Sequence, residues 1–258
     1  MYEITRGSEQ AHRMVKQMEF TVQYRQMQKL TLHIGRSNRK HKYEMDGTEL
    51  EQVHHERDLG VIIDDDLKFH KQTAAAIKKA NSILGLMKKT FVSFDKTTFS
   101  LLYKSLARPH LEYCNVIWGP FYKGDIESIE KVQRRATKLV QEVRDLTYGD
   151  RLRALDIPSL VYRRKRGDMI TAYKLITGKM DIHRDDFFKL TNLTTRGHKY
   201  KNFKQHSTKH SRINTFSNRI VADWNGLPEK IVDAPSTDVF KKDLDKFWED
   251  KKYDTPFN

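Results

Sequence analysis

The sequence has a single cysteine, Cys114, among its 258 residues, and it has no apolar run as long as a membrane-spanning helix. One cysteine excludes both an internal disulfide and a zinc site built from several cysteines. A spanning helix needs about 18 or more consecutive apolar residues, and the first six residues lack the apolar core of a signal peptide. These absences predict an intracellular protein, nuclear or cytoplasmic, that is not secreted and does not enter a membrane.

Motifs that carry out catalysis are also missing. The sequence contains no glycine-rich phosphate loop and no Gly-x-Ser-x-Gly elbow, and its histidines show no spacing typical of metal ligands. The densest acidic cluster, Asp64 to Asp66, follows an apolar segment, but two-metal chemistry needs a further carboxylate from another strand. No preceding segment supplies one, so we interpret the cluster as a solvated turn that caps the next helix, with a metal site as the alternative. The sequence thus predicts no catalytic residue, no metal ligand and no cofactor.

Positive charge, by contrast, is abundant. Lys and Arg outnumber Asp and Glu by 48 to 34, which gives a net charge of +14 and an isoelectric point near 9.6. Such a balance favours a polyanionic partner without identifying it. The isoelectric point is in the range expected of nucleic-acid-binding domains, and an anionic membrane surface is the rival polyanion. A hydrophobic fraction of 38% supplies enough apolar material for a folded core.

Short strands are predicted near the N-terminus. Residues 1–29 show no clear period and form a poorly defined segment. Apolar residues alternate over Leu30 to Ile34, and Asp46-Gly47 is typical of a type I′ turn inside a hairpin from Tyr43 to Leu50. The apolar run Leu59 to Ile63 indicates one further strand. We expect a small antiparallel sheet here.

From about His70 onward the apolar residues recur at three- and four-residue steps, which indicates helices. Capping residues and helix-breaking residues set the expected ends. The predicted helices run from His70 to Phe91, from Asp95 to Pro109 (which ends or kinks it), from Asp125 to Val143, from Ser159 to Thr177, and near Ser217–Trp224 and Ser236–Trp248, each of the last two opened by a capping serine. The predicted fold class is mostly α with a small N-terminal antiparallel β-sheet, an α+β fold with a helical body.

Four cations on the third predicted helix share one face. Lys131, Arg134, Arg135 and Lys138 are spaced i, i+3, i+4 and i+7, so they form one stripe roughly 140° around from the apolar face. Like charges along one ridge repel each other unless a polyanion or neighbouring acids neutralise them, and three glutamates flank the stripe. The stripe is therefore either a nucleic-acid contact or a solvated face.

Two further basic segments are candidates for the same role. The run from Arg163 to Arg166 is denser, but its side chains point all around a helix. The segment 196–212 contains six Lys or Arg, three His and no acid, and its aromatics Tyr200 and Phe203 are of a kind that stacks on unpaired bases; a disordered basic loop is the alternative. The candidate nucleic-acid-binding residues are Lys131, Arg134, Arg135, Lys138, Arg163, Arg164, Arg196, Lys199 and Lys201.

Several longer strings, in order along the chain, carry a family resemblance. They are Asp58-Leu-Gly-Val-Ile-Ile-Asp64, Tyr103-Lys-Ser-Leu-Ala-Arg-Pro-His-Leu-Glu-Tyr-Cys114, Trp118-Gly-Pro120, Ile129-Glu-Lys-Val-Gln-Arg-Arg-Ala-Thr-Lys138, Leu155-Asp-Ile-Pro-Ser-Leu160, Tyr162-Arg-Arg164, Thr195-Arg-Gly-His198, Phe216-Ser-Asn-Arg219, Trp224-Asn-Gly-Leu-Pro228, and Phe240-Lys241 through Trp248. Over residues 30 to 248 the chain resembles the part of jockey-like non-LTR retrotransposon reverse transcriptases that follows the active site.

The resemblance implies an organisation and a function. Residues 30–69 would be the last palm strands with their hairpin, 70–148 a helical thumb, and 149–258 a post-thumb region with the basic loop 196–212. The catalytic aspartates, which bind Mg²⁺ in the parent RNA-directed DNA polymerases, would precede this chain, so we expect a truncated fragment that is inactive by itself but binds RNA or an RNA–DNA hybrid without sequence preference. A separate palm and fingers fragment is a second candidate partner. The alternative is an inert or exapted helical scaffold protein without a nucleic-acid partner.

Overall fold

The computed structural model describes residues 30–35, 38–191 and 197–255. The predicted N-terminal segment, residues 1–29, lies outside these described residues. The chain divides into two compact units, residues 1–56 with 64–66 and residues 57–63 with 67–258. The division into palm-edge, thumb-like and post-thumb parts stays a prediction.

The first unit contains two pairs of short strands. β2 (Glu44–Met45) and β3 (Thr48–Glu49) form the predicted antiparallel hairpin, and its turn residues, Asp46 with φ 54° and Gly47 with φ 73°, have the positive values that a type I′ turn requires. β1 (Leu30–Leu32) pairs with β4 (Glu51–Val53) in parallel. The antiparallel prediction is wrong for this second pair, because the hairpin between the two strands returns the chain to its original direction.

A further two-stranded pair consists of β5 (His55–Asp58) and β6 (Val61–Asp64). The predicted strand began at Leu59, but Leu59 and Gly60 form the turn, with φ of 45° and 84°. A leucine in this left-handed region is uncommon. The Tyr113 hydroxyl donates a 2.8 Å hydrogen bond to the carbonyl oxygen of Leu59, which holds the turn in place.

The first helices largely match their predicted ends. α1 (His70–Thr90) ends one residue before its predicted end, and α2 (Lys96–Leu102) begins after Asp95, whose Oδ1 accepts 2.9 Å hydrogen bonds from the N–H groups of Thr97 and Thr98. A π-turn (Tyr103–Ala107) and α3 (Arg108–Glu112) continue the chain. Pro109 therefore sits in the first turn of α3, and the π-turn before it accommodates the missing N–H donor.

The third predicted helix is shorter than expected. After α4 (Asn115–Trp118), α5 (Lys123–Ala136) stops seven residues before the predicted end, and 3₁₀ turns follow over Thr137–Leu139 and Gln141–Val143. A tertiary contact accompanies this change of geometry, since Arg151 donates from Nε to the Thr137 hydroxyl at 2.9 Å and from Nη2 to the Arg134 carbonyl oxygen at 3.4 Å.

The next two helices flank Ile157 and Pro158. α6 (Tyr148–Leu155) was not predicted, and its N-cap Thr147 accepts a hydrogen bond from the Asp150 N–H at 3.3 Å. α7 (Leu160–Ile176) was predicted, and the Ser159 hydroxyl caps it by accepting from the Tyr162 N–H at 3.2 Å.

Five helices close the described chain. They are α8 (His210–Ile213), α9 (Phe216–Arg219), α10 (Val221–Asn225), α11 (Glu229–Val232) and α12 (Thr237–Phe247). The predicted helix near Ser217–Trp224 is two short helices, and Thr215, not a serine, precedes the first. Ser236 caps α12 as predicted, accepting from the Val239 N–H at 3.2 Å.

Two apolar clusters stabilise the second unit. The first joins α1, α2, α3, α5 and α6 around fully buried Phe99 and Tyr103, whose rings stack with centroids 5.7 Å apart. The second joins α7 and α9 to α12 around Trp224, Tyr173 and Phe240, and the last two stack at 4.3 Å. The mostly helical α+β class is thus confirmed. Within the described ranges, no helix is both long and apolar enough to cross a membrane.

Candidate nucleic-acid interface

A groove of about 640 Å³ runs along one side of α1. We call it the basic groove. Its cationic and titratable lining residues are Arg57 from β5, Lys78 and Lys79 from α1, and His110 from α3, with the half-exposed ring of Tyr113 beside them. No carboxylate belongs to this lining. Such a surface attracts a polyanion.

The amphipathic pattern of α1 explains why its lysines point outward. Ala76, Ala80 and Leu84 are buried on one face, so Lys78 and Lys79 lie on the exposed side of the helix. Within the described residues neither lysine has a carboxylate within salt-bridge distance. Ala75 and Ser82, which also line the groove, are small and allow a partner to approach the helix closely.

Two hydrogen bonds fix the β5–β6 turn against the helices of the second unit. The Ile62 N–H donates to Gln72 Oε1 of α1 at 2.9 Å, and Tyr113 holds the Leu59 carbonyl oxygen as described above. A Cβ on Gly60 would meet the Tyr113 ring at 3.4 Å. A Cβ would thus only just fit beside this ring, and the positive φ of 84° is what favours glycine at position 60.

The predicted stripe on α5 lies on the neighbouring side of α1. Arg135 Nη2 donates to Asn81 Oδ1 of α1 at 3.1 Å, so this cation is next to the helix that carries Lys78. Lys131 is exposed and pairs with Glu127 one turn earlier, with 3.2 Å between Nζ and Oε1. Such an exposed pair is weak, and a phosphate can replace the glutamate at little cost.

The other two residues of the stripe do not extend this exposed face of α5. Arg134 packs over the ring of Tyr148, with 4.9 Å from its guanidinium carbon to the ring centroid, and its Nε is buried without a hydrogen-bond partner. Lys138 is exposed but lies on the 3₁₀ turn after α5. The prediction that all four residues form one ridge of a continuous helix is wrong, because α5 ends at Ala136.

The side chains from Arg163 to Arg166 make their contacts within the fold. Arg163 donates to both carboxylate oxygens of Glu112, at 2.8 and 2.7 Å, and this bonding raises the pKa of the guanidinium. Arg166 makes the same two-pronged contact with Asp245, and Lys165 pairs with Asp223 at 3.1 Å. Arg164 is buried. These four side chains do not form a free basic face.

The basic segment 196–212 was predicted as a loop, either binding or disordered. Arg196 lies outside the described residues. The rest is anchored: His198 is buried and donates from Nε2 to the Trp224 carbonyl oxygen at 3.0 Å, and the Asn225 amide makes two hydrogen bonds of 2.8 and 2.9 Å with the backbone of Asn202. These hydrogen bonds attach the segment to α10.

Its two remaining candidate lysines face different surroundings. Lys199 is exposed, lies 3.5 Å from Asp233 and sits over the ring of Tyr200 at 5.1 Å. A Cβ added to Gly197 would lie 2.7 Å from Cε of Lys201, so the lysine side chain occupies the space beside this glycine. Phe203 remains 56% exposed. The structure brings these residues together with α10, not with the basic groove.

The acidic cluster differs from its predicted role. Asp64 is buried, with 6% of its surface exposed, and Asp65 Oδ2 lies 2.8 Å from His54 Nδ1. α1 begins after Phe69, which adopts a left-handed conformation and provides no side-chain cap. The interpretation as a solvated, capping turn is thus wrong. Among the described residues, no three His, Cys, Asp or Glu side chains are grouped closely enough to hold a metal ion.

Sequence reasoning missed the residues that line the basic groove. One signal was present on α1, where Lys71, Lys78 and Lys89 recur on one face with Ser82 and Gly85 between them. The contributions of Arg57, His110 and Tyr113 had no such signal, because the fold alone brings them together. Comparison of the chain with protein-family models, curated proteins and solved structures gave no match.

Proposed function

We propose that the chain binds RNA or an RNA–DNA hybrid through the basic groove and the adjoining face of α5, with little sequence preference. The observation that carries this proposal is the groove of about 640 Å³ whose lining includes Lys78 and Lys79, two exposed lysines that have no carboxylate within salt-bridge distance in the described part of the chain. Contacts of this kind go to phosphates, which position a nucleic acid without reading its bases. Arg163 and Arg166 are left out of this interface because each is held by a carboxylate.

We further propose that the chain is the C-terminal part of a jockey-like non-LTR reverse transcriptase. The ordered strings from Asp58 to Trp248 support this proposal. A helical body that follows short strands is also the order that the resemblance implies. Under this proposal the catalytic aspartates belong to a preceding palm, and the isolated chain binds its substrate without polymerising.

The rival function is that of a helical scaffold without a nucleic-acid partner. The internal pairing of Arg163, Lys165 and Arg166 favours it, because cations bonded to carboxylates of the same chain stabilise a fold and need no outside anion. The two functions differ in what they predict for binding at low salt.

The test is a salt titration of binding to a labelled RNA–DNA hybrid duplex, measured by fluorescence anisotropy. Changing Lys78, Lys79 and Arg135 to Gln should weaken binding and lower the slope of log affinity against log salt by up to about 0.9 per lost phosphate contact. Arg134 is left unchanged because its contact with Tyr148 stabilises the fold.

A matched control carries the same loss of charge elsewhere. Lys230, Lys242 and Lys246 are exposed on α11 and α12, and their change to Gln should leave the slope nearly unchanged. Equal slopes for both triple variants would remove the groove as the interface. Absence of binding at about 50 mM salt, where non-specific complexes are tight, would support the scaffold.

A further inference from the structure

Two hollows lie side by side between α4, α7 and α9, on the second unit and apart from the basic groove. The polar hollow, about 290 Å³, is lined by Asn115, Arg164 and Lys165 among others. The aromatic hollow, about 230 Å³, is lined by apolar residues that include four phenylalanines. Gly119, Phe121 and Asn214 line both, so the two hollows adjoin.

Arg219 and Phe216 contact each other in the wall that the two hollows share. Arg219, which lines the polar hollow, lies over the ring of Phe216, which lines the aromatic one, with 5.8 Å from its guanidinium carbon to the ring centroid. A Cβ on Gly119 would approach Arg219 Nη2 to 3.1 Å. Glycine at this position leaves room for the Arg219 guanidinium in the shared wall.

Two residues that line the polar hollow have buried polar atoms without a hydrogen-bond partner in the described part of the chain. They are Arg164 Nη1, a donor, and Asn115 Oδ1, an acceptor. A buried polar group without a partner costs about 1–3 kcal/mol, and more when it is charged. A donor and an acceptor left unsatisfied beside one hollow indicate a ligand that has both an acceptor and a donor.

Among the cations that line this hollow, Arg164 is the one with a nitrogen that has no hydrogen-bond partner in the described residues. Arg219 donates to both oxygens of Asp168 at 2.8 Å, and Lys165 pairs with Asp223. Glu130, Asp168 and Glu112 are the carboxylates that act on Arg164, with Glu130 having the largest effect. Glu130 Oε1 already accepts from the Tyr148 hydroxyl at 2.6 Å. Burial lowers the pKa of Arg164, but a guanidinium stays charged in proteins.

The aromatic hollow suits a flat, apolar group. Phe187 is 39% exposed at its edge, while Phe216 is buried at 8%. Aromatic faces stack on nucleobases, and each such contact contributes about 1–3 kcal/mol. Taken together, the two hollows lie in the size range of roughly 300–1,000 Å³ that is typical of small-molecule sites.

We infer that the adjoining hollows form one site for a nucleoside 5′-phosphate unit, with the base between the phenylalanines, the phosphate on Arg164 and a sugar hydroxyl donating to Asn115. The choice of a nucleotide over another anion with an apolar part rests on the proposed function. The unit is either a free mononucleotide or an unpaired nucleotide of a bound strand.

Calorimetric titration of the full chain with AMP, adenosine and inorganic phosphate tests the chemistry. AMP should bind roughly tenfold or more tightly than either part alone, since it adds a charged hydrogen bond to a stacking contact. Equal affinity for AMP and adenosine, or no binding of AMP, would overturn the inference. AMP should also bind more tightly than its 2′-deoxy form if the Asn115 contact is to the 2′-hydroxyl.

Variants locate the site. Phe187→Ala removes a partly exposed ring and should weaken AMP binding while the melting temperature stays nearly constant. Phe247→Ala, at a ring of similar exposure (44%) that lies outside both hollows, is the matched control and should leave AMP binding unchanged. Arg164→Met should abolish the preference for AMP over adenosine. Should this variant fail to fold, the Phe187 and Phe247 pair still decides, because equal effects of the two would refute the site.

Binding to hybrid duplexes with and without an unpaired overhang distinguishes the two sources of the nucleotide. An unpaired strand as source predicts that Phe187→Ala weakens the overhang duplex and spares the blunt one, whereas a free nucleotide as source predicts that both duplexes bind unchanged. If AMP fails to bind while salt-dependent hybrid binding persists, this site is wrong and the basic groove stands. If AMP binds and hybrids do not, the groove is wrong instead.

Discussion

Arg219 on α9 holds Asp168 on α7 with a two-pronged contact, in which Nε and Nη2 each donate to a different carboxylate oxygen at 2.8 Å. The same Nη2 also donates to the carbonyl oxygens of Asn115 and Val116, at 3.1 and 2.9 Å. Burial raises the pKa of Asp168, and Arg219 opposes that shift. One side chain thus ties α4, α7 and α9 together.

Removing this arginine should destabilise the fold strongly. Arg219→Met leaves the Asp168 carboxylate buried without its partner, and such a change costs about 3–5 kcal/mol. Urea denaturation measures the loss. Arg166→Met is the control, because its partner Asp245 is 41% exposed and an exposed pair is worth at most about 1 kcal/mol. Similar losses in the two variants would contradict the role given to Arg219.

Replacing each of two glycines with alanine should change the stability of the protein in opposite directions. Gly85 lies exposed in α1 and a Cβ there would meet nothing within 4 Å, so Gly85→Ala should raise stability by about 0.5–1 kcal/mol through helix propensity. At Gly119 a Cβ would lie 2.8 Å from the Asn115 carbonyl oxygen, so Gly119→Ala should lower the melting temperature. The prediction fails if both variants shift in the same direction.

Asp156 should make a pH-dependent contribution to stability. It accepts hydrogen bonds from Lys252 Nζ at 2.9 Å and from the Tyr253 hydroxyl at 2.8 Å, and these bonds lower its pKa below the ordinary value of 3.8. A lowered folded-state pKa stabilises the protein above the ordinary value, and the effect is lost as the pH falls through the folded-state pKa.

Asp156→Asn removes the charge and keeps a residue that tolerates the left-handed backbone, where φ is 45°. At neutral pH the variant should be less stable by at most about 1 kcal/mol, since the carboxylate is largely exposed. The difference should shrink as the pH falls below the ordinary pKa. Thermal unfolding at several pH values measures it, and a pH-independent difference would count against the ion pair.

The isolated chain should extend no primer with either Mg²⁺ or Mn²⁺. Metal-assisted phosphoryl transfer needs carboxylates from at least two places on a rigid scaffold, and Asp64 is buried while Asp65 contacts His54. A primer-extension assay on an RNA template gives the answer. Extension that is lost in a variant with Asp64→Asn and Asp65→Asn would show that the acidic cluster is catalytic after all.

The starts of three helices followed from the sequence because they depend on neighbours in the chain. Asp95, Ser159 and Ser236 each accept a hydrogen bond from an N–H two or three residues later, so residue type and spacing suffice to predict the cap. The end of α5 was not predicted, and the segment directly after it contacts Arg151, a residue on another helix that local spacing cannot place.

The same distinction between local and tertiary effects applies to the candidate sites. The sequence by itself determined the net charge, the helical periodicity and which residues of α1 and α5 face outward, since these depend on composition and local spacing. Only the tertiary structure decided which cations are paired inside the fold: it pairs Arg163 with Glu112, buries Arg164, and places Lys78, Lys79 and His110 in one groove. The physical reason is that a charge is neutralised or left open by its neighbours in space, and those neighbours are distant in sequence, 51 residues for Arg163 and Glu112 and 79 for Arg166 and Asp245.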